Sequence, residues 1–402
     1  MAKNHVFAGL DVGGNEVKLA VIQQLDDKDD FQILSQNREV CSGIRRGVVI
    51  NLQEVSDAII SCVKQAQEQS GKKVKSVYVN IDGSHIFLAA SHGLVSVSRA
   101  DQKISQEDIN RVIHAAQTFS LPSNKEILDV FPKEFVVDGE KGIRDPLGMK
   151  GVRLEADVLA IGCLSPYSKN LTEAVLESGL QIDGVIVNPL ASARAVLTDR
   201  ERELGVAVLD IGSSTTGLAV FEEGNLIHAA ILPLGSFNIT KDIAILLRID
   251  IDEAERIKVE FGSCVWRGSK KKEKIKSDFL SERLQVSKKN LIDIIEARVS
   301  EIFEQANKEL KKVSRQGLLP SGVVLTGGGA KLPKIVELAK KEMKLPSRIG
   351  LPRDFVPPQE DSSLAAACGL ALSGFDLEDV SSASGLGGIA AKIKKVFHPF
   401  IP

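Results

Sequence analysis

The pattern of apolar residues repeats along the chain, and each copy predicts a β-hairpin. The copies occupy residues 10–21 and 209–220, at a constant offset of 199 residues. In each copy an apolar strand leads into an Asp-apolar-Gly turn and a second apolar strand, and the glycine permits a tight turn. Asp11 and Asp210 are therefore expected at the hairpin tips, beside exposed backbone N–H groups. Two such tips facing each other across a cleft would hold a phosphate chain through N–H groups and Mg²⁺ through its water shell.

The remaining apolar periodicity predicts an alternation of helices and strands. Helical spacing of apolar residues predicts a helix over 52–69, and Ser105 followed by Asp108 predicts the capping box of another. Further helices are predicted over 165–178, 190–197, 333–344 and 363–372, and strands over 74–81, 87–97 (as a pair), 127–137, 152–161, 184–187 and 323–326. Residues 84–162 are interpreted as a small α+β insert, and residues 235–310 as mainly helical.

Composition limits the class of protein. A length of 402 residues predicts two to four domains. The net charge of −2 argues against a nucleic-acid partner, and a basic run at 270–276 is typical of a solvated loop, with a docking surface as the alternative. The five cysteines contain no Cys-x-x-Cys pair. Since the sequence has neither a signal peptide nor an apolar run of membrane-spanning length, we expect a cytosolic protein with reduced thiols.

A glycine-rich turn follows the strand predicted at 323–326. Gly327, Gly328 and Gly329 would let an adenosine lie against bare backbone, and the N-terminus of the helix predicted after them favours anionic groups. Taken alone, an Asp-x-Gly is most often an ordinary turn, and a glycine run is often a flexible connection. The combination of two phosphate hairpins and a glycine turn indicates a nucleotide site.

This combination resembles the superfamily of actin, Hsp70 and the sugar kinases, and the chain closely resembles the FtsA family of bacterial cell-division proteins. The FtsA resemblance is most specific at residues 98–109, 126–128, 137–143, 145–155, 240–244 and 253–258. It implies an α/β, actin-like ATPase fold with two ribonuclease-H-like lobes around a nucleotide cleft, and a small α+β insert domain for filament contacts. The implied domains are a first lobe (1–83, with 163–195 and about 360–375), the insert (84–162), a second lobe (196–359, with a helical subdomain at about 235–310), a flexible linker (376–388) and an amphipathic membrane-binding tail (386–402).

The same resemblance implies the residues of an ATP·Mg²⁺ site. Asp11 and Asp210 would face the Mg²⁺, largely through water, and the phosphates. The residues implied to bind nucleotide are Gly13, Gly14 and Asn15 in a first loop, Gly212, Ser213, Ser214 and Thr215 in a second loop, Gly235 near the phosphates, Glu255 and Lys258 at the ribose and adenine, and Gly327, Gly328 and Gly329. Lys18 is a candidate phosphate contact, with a solvated strand-end lysine as the alternative.

Three positions depart from the usual pattern of the family. Gly14 stands where a Ser or Thr is common, Gly217 stands where the second loop usually has an acid, and Asn188 stands where a Glu commonly precedes Pro189. Loss of a carboxylate weakens the positioning of metal-bound water more than it weakens nucleotide binding. The sequence therefore predicts nucleotide binding with at most slow ATP hydrolysis, and no catalytic residue is assigned.

The C-terminal residues predict an interfacial helix. The apolar positions trace one helical face, three lysines lie on the other side, and a Gly/Ser-rich segment (381–388) precedes them. The residues implied to contact membrane are Leu386, Ile389, Lys392, Ile393, Lys394, Lys395, Val396, Phe397 and Phe400. A helix docked on the protein's own core is the alternative. Surface potential contributes about 1 kcal/mol per lysine, so a single tail would bind anionic lipid reversibly and a polymer would bind through avidity.

The FtsA resemblance implies a function in cell division. The chain would form filaments at the cytoplasmic face of the membrane and tether the tubulin-like ring protein FtsZ there, through the helical region after Gly235. A type IV pilus adaptor of related fold is one alternative, and the stretch 126–155 counts against it. A small-molecule kinase of the same superfamily is another, and it would need a catalytic base in a substrate cleft.

Overall fold

The computed structural model describes residues 5–25, 30–117, 121–267, 275 and 287–383. The N-terminal part contains β1 (Val6–Val12), β2 (Glu16–Gln24), β3 (Phe31–Val40), β4 (Ile44–Arg45), β5 (Val48–Val49), α1 (Leu52–Ser70) and β6 (Ser76–Ile81). It is followed by β7 (Phe87–Ser96), α2 (Gln106–Ala116), β8 (Lys125–Val137), β9 (Glu140–Ile143) and β10 (Arg153–Leu164). The chain then forms α3 (Ser165–Glu177), β11 (Gln181–Val187), α4 (Asn188–Val196) and α5 (Asp199–Leu204).

The C-terminal half of the chain, like the N-terminal half, contains both strands and helices. Its strands and helices are β12 (Val206–Ile211), β13 (Thr216–Glu222), β14 (Asn225–Leu232), α6 (Ser236–Leu247), α7 (Ile251–Phe261), α8 (Lys288–Lys312), β15 (Val323–Thr326), α9 (Ile335–Met343), β16 (Ser347–Ile349) and α10 (Ala365–Ala383). Short 3₁₀ turns at Gly328–Lys331 and Ser362–Leu364 precede α9 and α10. Within the described residues, no helix is both long enough and apolar enough to span a bilayer.

Two five-stranded sheets share one topology. The first has the order β11-β6-β1-β2-β3 and the second the order β14-β13-β12-β15-β16. In each sheet the first three strands along the chain form antiparallel pairs. The next strand, β6 or β15, pairs in parallel with the first one, and the last strand, β11 or β16, pairs in parallel with β6 or β15. The repeat seen in the sequence as two hairpins therefore extends to two complete lobes.

Helix α10 returns from the second lobe to the first and packs on β1. A Cβ atom at Gly9 would overlap the carbonyl oxygen of Ala367, and one at Gly369 would overlap that of Ala191 in α4. Small residues thus bring the backbones of α10, β1 and α4 together. The helix predicted over 363–372 continues to Ala383, so residues 376–383 are helical where the sequence predicts a linker.

The insert forms its own four-stranded sheet, in the order β7-β10-β8-β9. The single strand β7 stands where the sequence predicts a strand pair. Helix α2 packs on the sheet and begins at the capping box of Ser105 and Asp108, which confirms that prediction. The fully buried Asp108 accepts hydrogen bonds from Ser98, Ser105 and Arg111, and these donors hold the pKa of its carboxyl well below its usual range, against the effect of burial.

The remaining predictions fall partly on residues that the structure does not describe. The membrane-binding tail and the end of the linker, residues 384–402, lie outside the described residues. So does the basic run 270–276, except for Ile275.

Candidate functional site

The two hairpin turns have the same geometry. The N–H of Gly13 donates to the carbonyl oxygen of Glu16 (3.1 Å), and the N–H of Gly212 donates to that of Thr215 (2.9 Å). A Cβ on either glycine would lie 3.0 Å or less from the same carbonyl oxygen. We call residues 13–15 the first loop and residues 212–215 the second loop. A side chain is thus disfavoured at equivalent positions of the two loops.

Backbone N–H groups of both loops lack acceptors. Those of Gly14, Asn15, Ser213 and Ser214 donate to no acceptor among the residues that the structure describes. The second loop is fixed from behind by the start of α6, because the N–H groups of Ser236 and Phe237 donate to its carbonyl oxygens (2.9 and 2.8 Å). Its carbonyl groups are thereby occupied while its donors stay available to an anion.

The loops face a cleft of about 810 Å³ between the lobes. Most of the residues that the sequence predicts for the site line it: Asp11, Gly13, Gly14, Asn15, Lys18, Asp210, Gly212, Ser213, Thr215, Glu255, Lys258, Gly327, Gly328 and Gly329. Ser214 and Gly235 do not. Ser214 lines a neighbouring pocket behind the loops, and Gly235 packs on the backbone of Ser213, where a Cβ atom would overlap it. Gly235 therefore supports the second loop from outside the cleft.

The carboxylates at the hairpin tips are joined by two asparagines. Nδ2 of Asn80, at the end of β6, donates to Asp11 (2.7 Å) and to Oδ1 of Asn188 (2.9 Å). Nδ2 of Asn188 in turn donates to Asp210 (2.9 Å), which also accepts from Ser192 (2.5 Å). Burial raises the pKa of Asp210, against these hydrogen bonds. This chain of hydrogen bonds from Asp11 through Asn80 and Asn188 to Asp210 holds both carboxylates at the same cleft.

Lys18 is not a solvated strand-end lysine. Its side chain is 14% exposed, and its Nζ lies 3.4 Å from Oδ2 of Asp11, its cross-strand neighbour in the first hairpin. A cation is therefore held at the floor of the cleft, next to one of the two carboxylates.

Asp82 is a site residue that sequence reasoning missed. The Asp82-Gly83 pair has the sequence of an ordinary turn, yet Oδ2 of Asp82 accepts a hydrogen bond from Thr215 in the second loop (2.5 Å). Its Oδ1 is buried and has no hydrogen-bond partner among the described residues. Burial raises the pKa of Asp82 to about 6, with Asp210 and Asp11 contributing further. A third carboxyl group thus lines the cleft and connects β6 to the second loop.

The three glycines after β15 have different roles. A Cβ atom at Gly327, whose φ is +83°, would overlap Asp210, and one at Gly329 would overlap Ile211. A Cβ atom at Gly328 would meet only Ser363, at 3.9 Å. Two of the glycines allow close packing on the second hairpin, and Gly328 presents bare backbone. Gly328 and Gly329 belong to a 3₁₀ turn, Gly328–Lys331, and the helix predicted over 333–344 begins after it, at Ile335.

Glu255 and Lys258 form one network on α7. Nζ of Lys258 donates to Oε2 of Glu255 (2.7 Å) and to the hydroxyl of Thr240 (2.9 Å), and that hydroxyl donates to the same carboxylate oxygen (2.5 Å). Lys258 is almost fully buried, whereas the Glu255 side chain is 46% exposed. Lys258 therefore positions Glu255, whose other oxygen stays available. Val259, Leu332 and Pro333 form an apolar wall nearby.

An ion-pair cluster closes the rim of the cleft. Asp361 accepts from Arg38 on β3 (2.9 Å) and from Lys331 of the 3₁₀ turn (2.7 Å), and both cations line the cleft. Lys331, Ser363 and Arg38 hold the pKa of Asp361 well below its usual range, against the effect of burial. We call Arg38, Asp361 and Lys331 the rim cluster. It connects the two lobes by charge.

The departures from the usual family pattern have a structural context. A Cβ atom at Gly14 would overlap the hydroxyl of Ser214, which reaches across from the second loop. A Cβ atom at Gly217 would lie 3.0 Å from the ring of Pro189. The close approach of the two loops, and of α4 to β13, therefore disfavours a side chain at either position.

The donor set fits an Mg²⁺-bound triphosphate. Two carboxylates face one space beside free N–H groups, as hydrated Mg²⁺ and phosphate require. No group of three or more His, Cys, Asp or Glu side chains in the described part of the chain is arranged to hold a metal ion.

Two solved structures share this architecture at low sequence identity to the chain. A chain of the PilM–PilN type IV pilus biogenesis complex matches 92% of this chain and 98% of itself, with a TM-score of 0.64 and 18% identity. MreB5 of Spiroplasma citri bound to AMPPNP matches 96% of this chain and 100% of itself, with a TM-score of 0.56 and 13% identity. The protein has the actin-like ATPase fold, which confirms the fold class predicted from the sequence.

The particular family follows from sequence comparisons. The family model of cell division protein FtsA matches residues 207–369, and that of the SHS2 domain inserted in FtsA matches residues 83–161. FtsA of Pseudomonas aeruginosa is 35% identical over 349 residues, covering 86% of this chain and 83% of the relative. FtsA of Bacillus subtilis is 34% identical over 354 residues, covering 88% and 80%. The chain belongs to the FtsA family of cell division proteins, and the resemblance found in the sequence is confirmed.

Proposed function

We propose that the protein binds ATP with Mg²⁺ in the cleft between its lobes. The observation that carries this proposal is the convergence of the first and second loops, with unpaired N–H groups, on the space that Asp11 and Asp210 share. The phosphates lie against the loops, the adenosine lies against Gly328, and Glu255 accepts from the ribose hydroxyls. The actin-like protein MreB5 has been solved with AMPPNP, in keeping with this use of the fold.

Hydrolysis at this site is slow. Bound Mg²⁺ neutralises phosphate charge and orders the water around it. A carboxylate at position 188 would help to orient that water, but Asn188 is neutral. Its side chain is already hydrogen-bonded to Asn80 and Asp210. The site is better suited to retaining the nucleotide than to turning it over.

Nucleotide binding is tested by titration with a fluorescent ATP analogue. Asp210→Asn is expected to weaken Mg²⁺-dependent binding about tenfold or more, since it removes one of two charged groups facing the metal. Asp183→Asn, on the exposed face of β11, is the matched control and leaves affinity unchanged. Absence of saturable binding to the unmodified chain would overturn the proposal.

The second part of the proposal is assembly at the membrane during cell division. The protein forms filaments and tethers an FtsZ-like division protein to the cytoplasmic face of the membrane, with residues 386–402 as the lipid-binding tail. FtsA family membership supports this function. The helical region after Gly235 also exposes apolar side chains at the end of α6, Ile245 (72%) and Leu246 (64%), in the region expected to meet FtsZ.

Electron microscopy on anionic lipid monolayers with ATP tests assembly and membrane attachment together. Filaments lying on the monolayer are expected for the full chain, and deletion of 386–402 is expected to leave filaments in solution and abolish liposome co-sedimentation. Ile245→Ser with Leu246→Ser is expected to reduce FtsZ co-sedimentation without affecting lipid binding. ATP turnover stimulated by a sugar or acid, with no filaments, would favour a small-molecule kinase, and binding only to pilus components would favour a pilus adaptor.

A further inference from the structure

A second, smaller pocket lies behind the two loops. It has a volume of about 300 Å³ and is separate from the nucleotide cleft, although Gly14 and Phe237 line both. Arg45, Arg46 and Lys241 line it, and none of the nine described residues around it carries a carboxylate. The three cations come from both lobes, because the arginines lie on the β4–β5 hairpin and Lys241 lies on α6. The pocket is therefore positively charged and spans the lobe boundary.

Arg46 occupies an unfavourable backbone conformation at the edge of this pocket. It and Gly47 form the two-residue turn between β4 and β5, with φ values of +52° and +76°. Such a turn favours Asn or Gly at its first position, and a long side chain there costs free energy. The turn packs closely on the segment after β6, since a Cβ at Gly47 would lie 2.6 Å from the backbone nitrogen of Gly83. An arginine at a strained position of the turn points to a role for its side chain.

The cations of the pocket are not neutralised by the protein. Arg45, Arg46 and Lys241 form no ion pair with any residue that the structure describes, and Lys241 lies over the ring of Phe237, 4.8 Å from its centroid. The hydroxyl of Ser214 also lines the pocket, is buried, and has no hydrogen-bond partner within the described ranges. Three unpaired cations and an unpaired hydroxyl thus surround one small space. These are the groups that an anion with several oxygens would satisfy.

We propose that this pocket binds an anion of the phosphate class, with free orthophosphate as the occupant held by Arg45, Arg46 and Lys241. Guanidinium groups match the oxygens of phosphate in a forked geometry. Orthophosphate is preferred over a lipid headgroup because the pocket adjoins the phosphate loops at Gly14 and is small. The pocket lies outside the nucleotide cleft, so this inference does not depend on nucleotide binding.

The test is calorimetric titration of the full chain with orthophosphate, in the presence of saturating ADP·Mg²⁺ to fill the cleft. One saturable site is expected for the unmodified chain. Arg46→Asn is expected to weaken phosphate binding about tenfold or more, because it removes a charged donor while Asn tolerates the same turn. Arg248→Asn is the matched control: Arg248 is also exposed and also has a positive φ (+54°), but it ends α6 away from the pocket, and its loss leaves phosphate affinity unchanged.

The outcomes separate this inference from the proposed function. Absence of saturable phosphate binding, or equal binding by the Arg46→Asn and unmodified chains, would overturn it. Glycerol phosphate serves as a second probe: weaker binding than orthophosphate supports a free phosphate as the occupant, and stronger binding supports a headgroup phosphate in the same pocket. Failure of the chain to bind ADP would refute the nucleotide proposal alone, because Arg46 does not line the cleft and its comparison with Arg248 still tests the pocket.

Discussion

Replacement of Asp82 by Asn is expected to stabilise the nucleotide-free protein at neutral pH. Asp82 lies at the end of β6, where one carboxylate oxygen accepts from Thr215 and the other is buried without a partner among the described residues. An asparagine has the same shape and can still accept the hydrogen bond from Thr215. It removes the negative charge that burial and the nearby Asp210 and Asp11 make unfavourable.

The magnitude follows from the pKa of Asp82. Its value of about 6 in the folded chain exceeds the ordinary 3.8, so the folded state binds a proton that the unfolded state releases between these pH values. Stability is therefore lost as the pH rises from about 4 to about 6, and the loss stays constant above that. At about 1.4 kcal/mol per pKa unit, Asp82 destabilises the neutral-pH protein by up to roughly 3 kcal/mol.

Urea unfolding at a series of pH values measures this effect. The Asp82→Asn and unmodified chains are expected to have similar free energies of unfolding near pH 4 and to diverge up to about pH 6, with the variant the more stable. Asp183→Asn, at an exposed position, is expected to follow the unmodified chain throughout. Parallel pH profiles for the two chains, or a less stable Asp82→Asn variant at pH 7.5, would refute the reasoning.

Three further predictions concern the cleft, its rim and the insert. Gly328→Val is expected to weaken ATP binding about tenfold or more by covering the bare backbone, while the melting temperature changes little because the site of its Cβ is open; a large drop in melting temperature would contradict this. Asp361→Asn removes the charge that Arg38 and Lys331 share, and it should lower the free energy of unfolding in urea by about 1–2 kcal/mol at pH 7. Because the pKa of Asp361 is depressed in the folded chain, the stability difference between variant and unmodified chain should shrink as the pH falls below the ordinary pKa of an aspartate. A stability difference that stays constant with pH would contradict this prediction. Asp108→Ala leaves the donors around the start of α2 without their acceptor and should destabilise the insert by about 3–5 kcal/mol. The expected result is faster hydrogen exchange confined to the insert, and unchanged exchange there would refute the prediction.

Local features of the fold were predictable from the sequence. The two hairpins depend on residues within about a dozen positions of each other, and so does the capping box of Ser105 and Asp108. Their signals are apolar alternation, a glycine turn and a hydroxyl residue three positions before an acid. The equivalence of the two complete sheets was less accessible, because β6, β11, β15 and β16 carry no repeated motif.

Contacts between distant segments were not predictable in this way. Thr215 lies 133 residues from Asp82, so nothing near the Asp82-Gly83 pair distinguishes a cleft carboxylate from an ordinary turn. The family resemblance assigned Lys258 to the ribose and adenine, and its burial and its bonds to Glu255 and Thr240 add a positioning role that the sequence did not reveal. The position of Arg46 beside the second pocket was not predictable either, because its only local feature is an arginine before a glycine in a two-residue turn.

Several of the groups that connect the lobes also face the proposed ligand sites. Asp82 joins β6 to Thr215 of the second loop, Gly14 and Ser214 meet between the loops, and Arg38 reaches Asp361 at the rim. A phosphate bound between the loops would compete for the donors of these contacts and add negative charge beside Asp82. A ligand that enters would therefore act on contacts that join the two lobes.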